Sequence, residues 1–229
     1  MINSICKSTN IRGYQLKLFD IDSSKTVEIL NYEFNKFGEY KLADSINFKK
    51  NDVILDIGAN VGTTSIYLAK KFPMTKIYSF EPVFYTWKNL KRNLHINSVE
   101  NIVKCRNLAV SGQNNSFLTL RIDPYNSGAS SSINQLNQNK TTIKKFNVKT
   151  ISLDNIFEKF GIQKVKLLKI DCEGAEFDIL YNSKQLQAEN IEYIVGETHS
   201  FDKKKNNRES LLEYLEKYVD KEKMSWVGW

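Results

Sequence analysis

VILDIGANVGTTSIYLAK, residues 53–70, is the stretch that decides the fold of this chain. The apolar run Val53–Ile57 has the length and composition of a buried strand. Gly58 and Gly62 bracket a short loop around Asn60. Thr63–Phe72 then carries a helical pattern, with Ile66, Tyr67 and Ala69 following its turn and Pro73 stopping it. Strand, glycine turn and helix in this order hold dinucleotides, nucleotide phosphates or adenosyl cofactors. The rest of the chain has to choose among them.

The alternation continues downstream. Strands are expected at Lys76–Phe80, Ile102–Cys105, Ser116–Ile122, Phe146–Ile151, Val165–Ile170 and Ile191–Val195. Leu108–Val110 adds a short apolar stretch after the third of the parallel series. Helices are expected at Phe84–Ile96, Leu153–Phe160, Ala175–Tyr181 and Glu209–Tyr218. Ser152 or Asp154 can begin the second of these, and Gly161 ends it. Strands alternating with helices imply an α/β fold, with a mostly parallel sheet and helices on both faces. Residues 1–50 read as a small N-terminal cap, made of a strand at Tyr14–Ile21 and a helix around Val27, Leu30, Phe34 and Phe37 that Gly38 interrupts. Residues 51–229 read as the main domain. The polar run NSGASSSINQLNQN, residues 126–139, reads as a mobile loop; the segment from Tyr125 to Asn139 is expected either to close over the acceptor or to be simply disordered.

Composition narrows the function classes. Lys and Arg total 33 against 26 Asp and Glu, a net charge of +7 that would suit an anionic partner. The excess is dispersed, however: residues 202–223 hold seven basic and six acidic side chains. That pattern suits a solvated helical face and disfavours a nucleic-acid stripe. Cys6, Cys105 and Cys172 are far apart, with no CxxC, so each is expected to be a small packing residue. No run reaches the roughly 18–20 apolar residues of a membrane span. The N-terminus has no secretory apolar run, so a cytoplasmic protein is expected.

Four predicted strand ends carry acids: Asp56, Glu81, Asp171 and Glu197. In open α/β sheets ligands sit beyond the carboxyl ends of the strands. Four carboxylates on one rim call for a ligand with donors or a cation to offset them. The loop lacks G-x-G-x-x-G, because Asn60 stands where the second glycine would be, and it lacks the Gly-Lys-Ser/Thr of a P-loop. A pyrophosphate is therefore disfavoured. Asp56 suits an amino acid moiety, and Glu81, about 20 residues beyond Gly62, is placed to take ribose hydroxyls. A ligand with an amino acid at one end and a ribose at the other is S-adenosylmethionine.

The blocks VILDIGANVGTTSIYLA, IYSFEPV, LKIDCEGAEFDIL and VGETHS together resemble the FkbM family of S-adenosylmethionine-dependent methyltransferases, over about Asp52 to Ser200. The first block is shared by many methyltransferases, whereas its combination with KIDCEGAE and E-x-H is more specific. The resemblance implies a class I, Rossmann-like methyltransferase fold and O-methylation of small molecules or glycan sugars. It assigns Asp56, Gly58, Asn60 and Gly62 to the methionine end of the cofactor. Thr63 and Thr64 would meet its carboxylate at a helix N-terminus. Glu81 would hold the ribose, Pro82 and Val83 would shape the adenine pocket, and Asn107, Leu108 and Ala109 would lie against adenine. Asp171 and Glu173 would face the methyl-transfer region.

An alcohol acceptor has to lose its proton, so Asp171, Glu197 and His199 are the candidate catalytic groups. Asp171 with Glu197 could instead hold a divalent cation. Glu176 reads as a helix-face or capping acid, and His95 as a surface or packing residue. The acceptor is expected to be a small hydroxylated molecule such as a sugar or glycan intermediate. Alternatives are methylation of another small molecule or of nucleic acid, a nicotinamide-dependent oxidoreductase, and a non-catalytic binding module. A proline–proline–aromatic block, expected of base-modifying enzymes, is replaced here by Asp171-Cys172-Glu173-Gly174. The tail leaves room for one short strand, at Lys223–Trp229, where class I folds commonly place two. The sheet is then left incomplete, or is finished by the N-terminal segment or by a second copy, with Trp226 and Trp229 as a contact surface.

Overall fold

The computed structural model describes residues 4–36, 41–122, 130–131, 144–200 and 206–228. Strand β3 (Val53–Ile57) lies at the centre of a six-stranded sheet. On one side of it come β4 (Lys76–Phe80) and β5 (Val103–Arg106). On the other come β10 (Val165–Ile170), β11 (Ile191–Thr198) and β12 (Met224–Gly228). All five pairings are parallel. The order reverses at β3, where the chain winds outward first one way and then the other. Crevices at such switch points are where doubly wound sheets bind ligands.

Both faces of the central strands are covered, so their sequences read as continuous apolar runs. Ile54, Leu167 and Val195 join one core cluster, and Leu55, Leu168 and Ile194 the other. Successive side chains of a strand alternate faces, and these two sets follow that alternation. The first cluster receives Ile66 from α3 (Thr63–Lys71) and Leu90 and Leu94 from α4 (Phe84–Ile96). The second receives Ile156 and Phe157 of α5 (Leu153–Phe160), Leu180 of α6 (Glu176–Tyr181), Leu186 of α7 (Lys184–Gln187) and Leu211 of α8 (Arg208–Leu215). Each apolar side chain buried in this way contributes roughly 1.5–3 kcal/mol. Ser152 caps α5 by accepting from the Asn155 amide, and Gly161 ends it in the left-handed conformation, as expected.

The N-terminal segment differs from the expectation of one strand and one helix. Residues of β1 (Ser4–Ile11) and β2 (Tyr14–Ile21) form an antiparallel hairpin, followed by α1 (Thr26–Lys36) and α2 (Lys41–Ser45). Arg12 and Gly13 both have positive φ, the turn chemistry that a two-residue hairpin needs. β1 is polar, SICKSTNI, and only its pairing with β2 makes it a strand. The hairpin is its own two-stranded sheet and does not extend the central one. Its inward residues Ile11, Leu16 and Leu18 share the first core cluster. Asn93 of α4, wholly buried, exchanges hydrogen bonds with the Phe19 backbone and also donates to the Val61 carbonyl at 2.8 Å. The cap is therefore tied to the glycine loop through one side chain.

A third sheet joins β6 (Ala109–Val110), β9 (Lys144–Ile151), β7 (Phe117–Ile122) and β8 (Ser130–Ser131). Of the expected loop at residues 126–139, all but Ser130 and Ser131 lies outside the described residues.

The tail forms the one short strand expected of it: β12 pairs in parallel with β11 at the edge of the main sheet, and the N-terminal hairpin adds no strand to that sheet. Trp226, expected on an exposed contact surface, is 7% exposed and packs in the second core cluster. A Cβ at Gly196 would lie 2.6 Å from its ring, which explains glycine at that place in β11. Trp229 is outside the described residues. Among the cysteines, Cys6 is exposed rather than packed. No helix among the described residues is long and apolar enough to cross a membrane.

Candidate active site

The loop after β3 is built on left-handed backbone. Gly58, Asn60 and Gly62 have φ of 76°, 50° and 95°. Asparagine is among the few non-glycine residues that tolerate this region, which gives Asn60 a conformational reason beyond any ligand contact. The Gly58 and Ala59 amides donate to the Phe80 carbonyl at 3.1 and 3.0 Å, locking the loop against the end of β4. Gly62 precedes α3 as a cap residue without a side-chain hydrogen bond. Behind it the Thr63 hydroxyl is buried with no hydrogen-bond partner among the described residues. A helix N-terminus that no side chain caps, with an orphaned hydroxyl beside it, fits an anionic group such as the carboxylate of S-adenosylmethionine.

Asp56 does not face the surface of the loop. It is 0% exposed, accepts a hydrogen bond from Ser65 at 2.5 Å, and has the Lys169 ammonium 3.3 Å from its other oxygen. The expectation that it meets the methionine end directly is corrected to a place beneath the loop. Glu81 does sit at the rim. One carboxylate oxygen accepts from the Asn60 amide at 3.0 Å and the other from the Val83 amide at 2.8 Å. Burial pushes its pKa up to about 7, although the two amides and the Lys169 charge pull it down.

The expected adenine side divides. Asn107 donates its amide to the carbonyls of Glu81 and Pro82 at 2.9 and 2.8 Å, and so ties the end of β5 to the rim. Leu108 packs against the second core cluster, and Ala109 is buried in β6, paired with β9. Val83 packs with Leu120 beneath the third sheet. Leu108 and Ala109 are thus wall residues rather than polar contacts.

On the other side of the switch point, β10 and β11 deliver the acids. The turn Asp171–Gly174 has Glu173 at φ 53° and Gly174 at φ 103°. Non-glycine residues held at such angles store strain that a surrounding network must maintain. Here the network is Glu176, which is 0% exposed. Its two oxygens accept from the Cys172 and Gly174 amides at 2.6 and 2.9 Å, so it braces the turn that precedes α6 rather than capping the helix itself. Cys172 turns into the second core cluster.

His199 meets this turn from the end of β11. Its Nδ1 is 3.4 Å from Glu176, and its Nε2 is 3.5 Å from Glu173 and 3.8 Å from Glu197. Burial works against the charged ring. The hydrogen bond to Glu176 and the charges of Glu173, Glu176 and Asp171 outweigh it and lift the pKa to about 9. Glu173 is pushed up to about 7, first by burial and then by Asp171, Glu197 and Glu176, against the pull of His199. One ligand atom each from Asp171, Glu197 and His199 lies within 4.8 Å of the others. These three residues come from two strands, and the fold brings all of them together. His95, by contrast, is an exposed partner of Glu100.

Two residues escaped the sequence reading. Lys169 is 3% exposed, and its ammonium donates to the Gly58 carbonyl at 2.8 Å. Its signal was a lysine inside the otherwise apolar end of β10. Asn93 had no signal, since one amide in a helix looks like any other.

The model of the methyltransferase FkbM domain matches residues 56–222. Methyltransferase sdnD of Sordaria araneosa is 27% identical over 209 residues, covering 80% of each chain. Methyltransferase 1 of Beauveria bassiana is 30% identical over 156 residues, covering 61% of each. The hexuronic acid methyltransferase AglP of Haloferax volcanii is 25% identical over 153 residues, covering 66% of this chain and 58% of that one. The chain therefore spans four-fifths of the first relative's length and about three-fifths of the other two.

Proposed function

The chain belongs to the FkbM family of S-adenosylmethionine-dependent methyltransferases, and on that premise we propose that it methylates a hydroxyl of a small polar acceptor, a sugar or glycan precursor. The observation that carries the reading is the convergence of Asp171, Glu197 and His199 beside the glycine loop. The relative named for hexuronic acid methylation supports a sugar acceptor.

When bound, the cofactor supplies a methyl group activated on a sulfonium sulfur, and the protein aligns the acceptor with it. The α3 N-terminus with Thr63 and Thr64 would hold the cofactor carboxylate, and Glu81 its ribose. Asp171 and Glu173 would border the reacting methyl. The acceptor oxygen takes the methyl and releases its proton, and His199 Nε2 would receive it. Glu176 holds the opposite ring nitrogen, which leaves Nε2 turned toward Glu173 and Glu197. At neutral pH the free enzyme keeps this ring protonated. Occupation of the adjacent loop by a cationic ligand would favour loss of that proton.

Asp171 and Glu197 also support a second reading. Their two carboxylates, close together at adjacent strand ends, fit a divalent cation, which would lower the pKa of the acceptor hydroxyl without His199 acting as base. The test is methyl transfer from S-adenosylmethionine to a panel of mono- and oligosaccharides, amines and nucleic acids, read by mass spectrometry. A methyl ether on a sugar is expected. Transfer to amines or nucleic acid alone would overturn the acceptor assignment. Chelation that abolishes transfer, with His199→Gln still active, would replace the base by the cation.

A further inference from the structure

Lys169 is the only charged side chain at the buried carboxyl end of β10, between Leu168 and Ile170. It lies beside Asp56 in the register of β10 and β3, at the strand-order switch. Its ammonium reaches the Gly58 carbonyl at 2.8 Å, the Ile57 carbonyl at 3.5 Å, Asp56 at 3.3 Å and Asp171 at 3.7 Å. A buried ion pair is weak support for stability, because desolvation offsets its attraction. The location of this one is more informative. Asp56 lies near the end of β3 and Gly58 opens the loop before α3, whereas Asp171 begins the turn that carries Glu173 and leads to Glu176 at the start of α6. The two segments touch: a Cβ on Gly58 would sit 1.8 Å from the Asp171 carbonyl oxygen.

We propose that Lys169 is a positioning residue that locks the cofactor loop to the Asp171 turn, drawing the Gly58 carbonyl and the Asp171 carboxylate to one ammonium. This rests on the reading of the loop as the S-adenosylmethionine site. The lock holds the loop at a fixed distance from the groups that face the acceptor. Positioning of this kind matters because a displacement of about 1 Å at a reacting pair is enough to slow it about a hundredfold.

Removing Lys169 alone would strand the Asp56 charge in the core, so the test uses the paired variant Asp56→Asn with Lys169→Met. Affinity for S-adenosylhomocysteine is measured by calorimetry, and the amide resonances of Gly58, Asn60 and Gly62 by NMR. The dissociation constant is expected to rise at least tenfold. The loop amides should shift while those of β1 and β12 stay in place. A lower melting temperature with unchanged affinity and unchanged loop amides would overturn the proposal and leave Lys169 a packing residue. If the paired variant fails to fold, Lys169→Arg keeps the charge but moves the donors. It is expected to move the same loop amides and weaken binding at least threefold, and native amides with native affinity would overturn the proposal. Wild-type protein that fails to bind would overturn the cofactor reading along with it. Tight wild-type binding with an unchanged variant overturns the lock alone.

Discussion

Replacing Glu81 by Gln should weaken S-adenosylhomocysteine binding about 30- to 150-fold. The size follows from the two oxygens. Each already accepts a backbone amide, from Asn60 and from Val83, and each has a second lone pair to offer a ribose hydroxyl. Glutamine keeps one oxygen and puts an NH2 where the other stood, donor against donor. It also removes the charge that strengthens the remaining bonds. A hydrogen bond to a charged group contributes about 1.5–3 kcal/mol, so a net loss of about 2–3 kcal/mol is expected, which is the stated factor at ~1.4 kcal/mol per decade. Calorimetric titration at pH 8 measures it. The wild type supplies an independent check through pH. Burial lifts the Glu81 pKa to about 7 in the free protein, and hydroxyl donors favour the ionised form. Affinity should therefore be level above about pH 7 and fall about tenfold per unit below it. The Gln variant should lose that slope, which separates Glu81 from Glu173, whose pKa is also about 7. A Gln variant that binds within threefold of wild type, or that keeps the slope, would refute the assignment of Glu81 to the ribose.

Three further outcomes can be measured. His199→Gln should lower turnover by about 10²–10⁴ and leave S-adenosylhomocysteine affinity within about twofold, and in wild type the rate should climb with pH toward about 9 in the absence of added metal. His199 also links pH to stability: its raised pKa adds stability that is fully present below pH 6.5 and is lost as pH rises through about 9. The melting temperature of the free protein should therefore fall across that window, and His199→Gln should flatten the fall. Gly58→Ala should cost about 3 kcal/mol or more in a denaturant titration, because its φ is 76° and the new Cβ meets the Asp171 carbonyl at 1.8 Å.

Much of this was legible in residues 53–70 and in the acids that end the strands. The central strands are apolar on both faces, and that pattern survives any tertiary context. Ser152 and Gly161 likewise fixed α5 by local chemistry alone. What escaped depended on contacts far apart in sequence. β1 is a strand because β2 lies beside it. Ala109 looked like a rim residue and is a short strand because β9 pairs with it across a long separation. Asp56 was read as a ligand group because a strand-end acid faces a crevice by default. Nothing near it in sequence announces that Lys169, on another strand, would take its charge. The cluster of Asp171, Glu197 and His199 lay closer to the surface of the sequence: Asp171 and Glu197 sit at neighbouring strand ends, so parallel pairing of β10 and β11 alone brings them together.

The pairing of β12 with β11 makes the last strand a splint for the chemistry. Glu197 stands opposite Val227 in that ladder, and Gly196 is roofed by Trp226. Trimming residues 224–229, or pulling on them with a poorly placed affinity handle, would leave β11 with a bare edge and the approach to His199 unsupported. Loss of activity in such a preparation would report on a missing neighbour rather than on a missing catalytic group. Work on this enzyme is better served by a handle at the hairpin end, whose two strands pair with no strand of the central sheet.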